Sequence, residues 1–469
     1  MSTLDSLQAQ ELLLAPEWVM LDDGPAQGIG VVVSKGRFVD VGPLAAVATR
    51  HPHLAAMSLP QRLLMPGFID AHHHLTQSFG KALAFGEPSE IYRRIWVPLE
   101  SELDEQALYL SSKLAALEAL RGGFTTVCDA GTRAKAGLDA VATAARDVGL
   151  RCVLAQVCND AGALPGDAAA MRAAAERHLA QSAGDALVHP SLAVSVPEAA
   201  SDAMMGFVAA LCREAGALFQ VHVNEHLASV ERSLVERGLR PLEHLDRAAA
   251  LGPQTLVAHA TLVTAQELLL LRDTDTAVSY NPVASAWKGN AVAPVLTMAA
   301  LGIRFGLGTD GTRGDGFRLM DAAETAQRLA FGLQSGDSSC GAGWTWLDHA
   351  TADGARAVGL SQRTGRVATG LAADFLIIDL DVPEMTPSWD LSWELVRLAN
   401  REQIEAVFVD GRLRLWQGWP VEWDAKALMR EAEGVARRAV AKAPIQRIHS
   451  TAIEHRLQSH KGVTRYRDG

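Results

Sequence analysis

Cysteine is scarce in this chain, five residues in 469, and none of the five belongs to a CxxC pair. Cys128, Cys152, Cys158, Cys212 and Cys340 are scattered, which excludes a thiolate zinc cluster and a disulfide framework and leaves them as reduced thiols. Long apolar runs are missing as well. No stretch approaches the ~18 residues that a membrane helix needs, and the opening MSTLDSLQAQ has no basic segment ahead of an apolar one. The expectation is a cytoplasmic protein with no membrane partner. Positive charge is in deficit: 43 Lys and Arg face 54 Asp and Glu, a formal net charge of −11. Such a balance argues against a surface that tracks nucleic-acid phosphate and favours a small-molecule partner. Only the end of the chain runs the other way, with eight Lys or Arg against two acidic residues between Arg437 and Gly469. That stretch reads as a solvated or subunit-packing tail rather than a nucleic-acid arm.

What is present is enough apolar material, 48% of residues against 21% charged, to build a large core. Its distribution divides the chain into textures. Residues 1–65 alternate short β-rich runs with turns, as in GIGVVVSKGRFVDVGP, where Lys35-Gly36 is a hairpin signal. Residues 66–362 alternate short apolar runs ending in polar residues or His with Ala/Leu-rich helical stretches such as DEQALYLSSKLAALEALRGG, the pattern of βα units on a parallel sheet. The β texture returns over 363–420, with a tight turn at Asp410-Gly411, so a β region split between the chain ends must assemble around the middle. Residues 421–469 hold one amphipathic helix, DAKALMREAEGVARRAVAKA, followed by a mixed polar tail.

Four apolar runs end in metal-ligand types. LLMPGFIDAHHHL places His72 and His74 on one side of an extended chain with His73 on the other. ALFQVHVNEH ends in His222 with Glu225 three residues on, TLVAHA carries His259, and IRFGLGTDG carries Asp310. Any one of these histidines alone reads as a hydrogen-bonded structural residue. Their spacing joins them. His74 to His222 is 148 positions, four units of 37; His222 to His259 is another 37; and His259 to Asp310 leaves room for one more strand, TAVSYNP. Counting strands places the His pair on the first, His222 on the fifth, His259 on the sixth and Asp310 on the eighth. That closes an α/β fold of the (β/α)₈ TIM-barrel type, with every one of these residues at the C-terminal, reactive end of its strand.

PGFIDAHHHL (66–75), HVNEH (222–226), TLVAHA, NPVAS (281–285), GLGTDG (306–311) and GRVATGLAADFLIID (365–379) together resemble the amidohydrolase superfamily. Within it they are similar to the aminohydrolases of nitrogen heterocycles: chlorotriazine hydrolases, adenosylhomocysteine-type deaminases and 8-oxoguanine deaminase. The resemblance implies a barrel with a companion β-sandwich built from both chain ends, and a homo-oligomer. It also implies roles: His72, His74, His222 and Asp310 as ligands to one divalent metal ion, with Zn2+ expected ahead of Fe2+ or Mn2+; His259 as a ligand or as a neighbour of the reacting water; Glu225 as the proton-shuttling acid. Binuclear relatives use a carboxylated Lys on the fourth strand, and no Lys lies between Arg151 and His222.

The chemistry so implied is hydrolytic deamination of a purine, pterin, pyrimidine or triazine ring. A divalent ion held by neutral imidazoles lowers the pKa of its water from ~16 to about 7. Asp310 would take that water's proton while Glu225 protonates a ring nitrogen, and ammonia leaves a ring carbonyl behind. Hydrolysis of a cyclic amide or of a ring carbon–halogen bond by the same site is the alternative, and a non-catalytic ligand-binding scaffold is a third possibility that retention of Glu225 and Asp310 disfavours. The GxGxxG match in GLGTDG is set aside, because it falls on the last strand rather than opening a βαβ unit. Departures from the branch fall at SLAVSVPEAAS, which holds no His, and at Tyr280, where relatives often place His before Asn-Pro. Gln77, Trp96, Tyr280 and Arg313 are the candidate substrate contacts.

Overall fold

The structure is a computed structural model that describes residues 3–87, 91–162, 165–181 and 184–467. Five strands open the chain: β1 (Glu11–Leu21), β2 (Gly24–Gln27), β3 (Ile29–Ser34), β4 (Arg37–Pro43) and β5 (Ala56–Pro66). Lys35 and Gly36 both adopt positive φ, 49° and 81°, between the paired residues Ser34 and Arg37. This is the left-handed two-residue turn whose twist suits a hairpin.

Eight buried strands follow in chain order, all parallel and each paired with the next: β6 (Phe68–His73), β7 (Phe124–Asp129), β8 (Arg151–Val157), β9 (Val188–Val194), β10 (Leu218–Val223), β11 (Thr255–His259), β12 (Ala277–Tyr280) and β13 (Phe305–Leu307). Helices connect them, as in Glu105–Arg121, where Asp104 accepts the Ala107 amide at the N-terminus (2.8 Å). The first strand meets the chain just beyond the last: the Asp310 amide donates to the His72 carbonyl (2.8 Å) and the Thr309 amide to Asp70 Oδ1 (2.9 Å). The glycines of GLGTDG serve this near-closure, since a Cβ at Gly308 would lie 2.2 Å from Asn281 Oδ1 and one at Gly306 2.9 Å from the Ala71 Cβ. The expected parallel barrel is therefore present.

Beyond it, β14 (Phe375–Asp379), β15 (Ile404–Val409), β16 (Arg412–Trp416) and β17 (Trp419–Pro420) complete a nine-stranded mixed sheet with the N-terminal strands, joined where β14 runs antiparallel to β5. The companion expected as a sandwich is thus hydrogen-bonded as one sheet, wrapped on a core of its own that includes Leu14, Val31, Phe38, Phe375, Ala406 and Phe408. Period-two alternation fixes it to the barrel: Phe375 and Ile377 face the sheet's core, whereas Leu376 and Ile378 join the main core of the barrel.

In the C-terminal region the helix Ala425–Lys442 packs on Glu105–Arg121, where Gln106 donates to Glu431 (3.0 Å). A second helix, Ala452–Arg467, occupies the stretch read from sequence only as a mixed polar tail. Among the described residues no helix is long and apolar enough to cross a membrane.

Candidate metal centre and cavity

The extended end of β6 separates the three consecutive histidines. His73 turns away, bonding through Nδ1 to Asp70 Oδ2 (2.8 Å); burial opposes its protonation, but Asp70 holds its pKa above the ordinary value. His72 and His74 face the barrel axis, each with Nε2 3.3 Å from Asp310 Oδ1, and His74 Nε2 lies 3.2 Å from His222 Nε2. His72, His222, His259 and Asp310 each offer a ligand atom within 4.8 Å of the others, the one such group among the described residues.

The backbone is forced at these positions. His259 and Asp310 have φ of 76° and 56°, and Asn224, between His222 and Glu225, has 52°. Left-handed conformations of non-glycine residues cost on the order of 1–3 kcal/mol each, and they accumulate where a site requires them.

The donor set fits a divalent cation. His72 Nε2, which faces Asp310, is buried without a hydrogen-bond partner. Such an orphaned nitrogen is costly unless something else satisfies it. His222 Nδ1–H donates to the Ser195 carbonyl (2.6 Å), which leaves the Nε2 lone pair facing the cluster. Burial and neighbouring imidazoles push His222 well below its usual pKa, burial lowers His74 to about 3, and burial lowers His259 to about 4. All three are neutral near pH 7, the form that ligates.

Beside the cluster stands a charged pair of carboxylates that share one cation. Glu225 Oε2 lies 3.6 Å from His259 Nε2, and Lys288 Nζ donates to Glu225 Oε1 (2.9 Å) and to Asp310 Oδ2 (2.6 Å). Burial opposes ionisation of both carboxyls, yet His259, Lys288 and His226 hold Glu225 well below the usual range, and Lys288 with His72 and His74 does the same for Asp310.

Of these groups, His74, His222, Glu225, His226, Lys288 and Asp310 line a cavity of about 400 Å³, a normal size for a small-molecule site. Of the four residues singled out as substrate contacts, Gln77 and Trp96 line it. Gln77 donates to the buried Glu100, which also pairs with Arg133, another lining residue (2.8 Å). Tyr280 does not line the cavity: alternation along β12 turns it outward, where its hydroxyl donates to the Ala323 carbonyl (3.3 Å) and accepts from Gln327. Arg313 lies outside as well, about half exposed and paired with Asp315 (3.4 Å). Sequence motifs did not single out Lys288, Asn281 or Ser195. Only Asn281 carried a signal, its place in NPVAS.

The model of the amidohydrolase family matches residues 63–414. The chain is 28% identical over 419 residues to a 5-methylthioadenosine/S-adenosylhomocysteine deaminase of Desulforudis audaxviator, covering 87% of this chain and 94% of that protein. It is 28% identical over 433 residues to a 5'-deoxyadenosine deaminase of Methanothermobacter thermautotrophicus, covering 91% and 97%. Among solved structures it is similar to an adenosine deaminase from Xanthomonas campestris with bound zinc (TM-score 0.84, 25% identity, 92% and 98% covered). It also shares the fold of a zinc-complexed atrazine chlorohydrolase from Arthrobacter aurescens (TM-score 0.81, 18% identity, 91% and 100% covered).

Proposed function

This chain belongs to the amidohydrolase family, and from that premise we propose that it is a metal-dependent hydrolytic deaminase of an aminated purine-type ring carried by a nucleoside-like substrate. The observation that carries the proposal is the convergence of Glu225 and Asp310 with a cluster of neutral imidazoles at one cavity of small-molecule size. His72, His74, His222 and Asp310 are the residues that would hold the ion, and zinc is the ion proposed, since imidazole and carboxylate suit it and similar structures contain it. Bound there, a divalent ion supplies Lewis acidity that brings the pKa of water from ~16 to about 7.

The protein's own groups do the rest. Asp310 is placed to take one proton of the attacking water and return it to the departing amine, and Glu225, ionised in this structure, to take the water's other proton and pass it to a ring nitrogen, so that water adds to the carbon bearing the amine. That carbon loses its amine as ammonia and becomes a carbonyl. For His259, the role of neighbour to the reacting water is favoured over that of ligand. The Asn281 side-chain amide donates to Nδ1 (3.2 Å), leaving the proton of the neutral ring on Nε2, facing the cluster. Gln77 and Trp96, on the cavity wall, are proposed to contact the ring or its substituent.

The test is ammonia release from a panel of aminated purine nucleosides and free purines, pterins and triazines, with Glu225→Gln alongside. Release by the wild type and a kcat about 10²–10⁴ lower in the variant at unchanged metal content support the proposal. Halide release from a chlorotriazine, or ring opening without ammonia, would replace it with another hydrolysis.

A further inference from the structure

Resting on that deaminase reading, we propose that Lys288 is a positioning residue that yokes Glu225 to Asp310 and sets which oxygen of each carboxylate faces the substrate. Lys288 ends the helix Pro282–Lys288, and Gly289, at a φ of 69°, turns the chain immediately after it. The aliphatic stem runs into the site, the side chain is 10% exposed, and Nζ reaches both carboxylates from the cavity wall.

The oxygens are divided. Asp310 directs Oδ1 to His72 and His74 and Oδ2 to Lys288. Glu225 directs Oε2 to His259 and gives Oε1 to Lys288, with His226 at 3.2 Å and Asn290 at 3.4 Å on the same oxygen. Without the ammonium, two buried carboxylates would stand on one side of the site with no cation between them, and like charges at such range separate or one of them neutralises. With it, each is fixed as an oriented acceptor. A buried ammonium is itself costly unless paired, and this one has two partners. The neighbouring Trp287 packs edge-on against Phe85 (5.2 Å), which anchors the end of the helix that delivers the lysine.

Lys288→Met removes the charge at nearly constant length. The expected result is a kcat about 10–10² lower, the scale on which small misplacement of a reacting group acts, with KM changed less than about threefold and metal content unchanged. Introduced into Glu225→Gln, the same substitution should cost less than in the wild type, because the share of its effect that acts through Glu225 is already lost and only the share through Asp310 remains. Lys288→Ala should regain activity with added ethylammonium, a rescue that general loosening of the fold would not show. A zinc-loaded crystal structure provides the readout independent of any variant: Nζ should remain bonded to both carboxylates. Wild type that releases ammonia while Lys288→Met matches it overturns the inference alone, as does equal loss in the Glu225→Gln background or a lysine displaced from Glu225 in the zinc-loaded crystal. Wild type that releases no ammonia overturns the deaminase reading and this inference with it.

Discussion

The Nδ1–H of His222 donates to the carbonyl oxygen of Ser195 across 2.6 Å, a side-chain bond from β10 to the residue just past the end of β9. It fixes the tautomer and the plane of an imidazole whose other nitrogen faces His74 and Asp310. His222→Ala should therefore lose the bound metal, falling from about one equivalent per chain to near none by elemental analysis. Chelation should lower the melting temperature of the wild type, because an ion that binds only the folded state stabilises it by mass action, and should leave that of the variant unchanged.

Glu87 ties the C-terminal segment to the cavity wall. Its buried carboxylate accepts from Arg94 (2.7 Å), Arg447 (3.2 Å) and the amides of Ile448 (3.1 Å) and His449 (3.3 Å), while Ile445 packs on Ile91, Ile95 and Trp96. Ile91 and Trp96 line the cavity. Glu87→Ala, or truncation after Lys442, should raise KM about 5–10-fold with kcat within twofold, the pattern of lost uniform binding. An unchanged KM in both would show that the segment does not support the wall.

Beneath the barrel, Arg151 of β8 and Asp374 at the edge of β14 form a fully buried bidentate pair, 2.8 and 3.0 Å, and Asp374 also accepts the Asp410 amide (2.7 Å). Removing one partner strands the other charge. Asp374→Asn should cost about 3–5 kcal/mol in denaturant unfolding, whereas replacing both residues with apolar ones of similar volume should cost clearly less.

Asp348 is half-buried near Asp353 and Asp22, and burial, reinforced by those carboxylates, raises its pKa to about 6. A carboxyl whose folded pKa exceeds its unfolded value of about 4 favours the folded state at low pH and loses that contribution as pH rises through 4 to 6. Asp348→Asn should accordingly raise the melting temperature at pH 7.5 by about 1–3 °C and leave it unchanged at pH 4. Equal shifts at both pH values would contradict the assignment.

Alternating strand and helix texture and the 37-residue spacing made the barrel legible, because each βα unit must bury one strand and one helix face and so has a natural length. The turns at Lys35-Gly36 and Asp410-Gly411 were legible for a local reason, positive φ at both residues of each pair. Helix Ala452–Arg467 was not, since its sequence carries little apolar periodicity to signal it. Within the site, residues at strand ends could be located by counting, and the structure brings His72, His222, His259 and Asp310 together. Lys288 could not be found this way: it sits at a helix end, and its partners lie 63 and 22 positions away. Tyr280 was misleading because its place beside Asn281 suggested the cavity, whereas Ser279 and Asn281 point inward and the residue between them must point out.

The most direct test of metal-dependent deamination is ammonia release from a 5'-deoxyadenosine-type nucleoside, measured on chelator-stripped protein and on the same protein after stoichiometric zinc is restored. The stripped protein should release none, and the restored protein one ammonia for each molecule of the oxo product formed. Equal release in both samples, or stoichiometric zinc with no ammonia from any aminated ring, would contradict metal-dependent deamination.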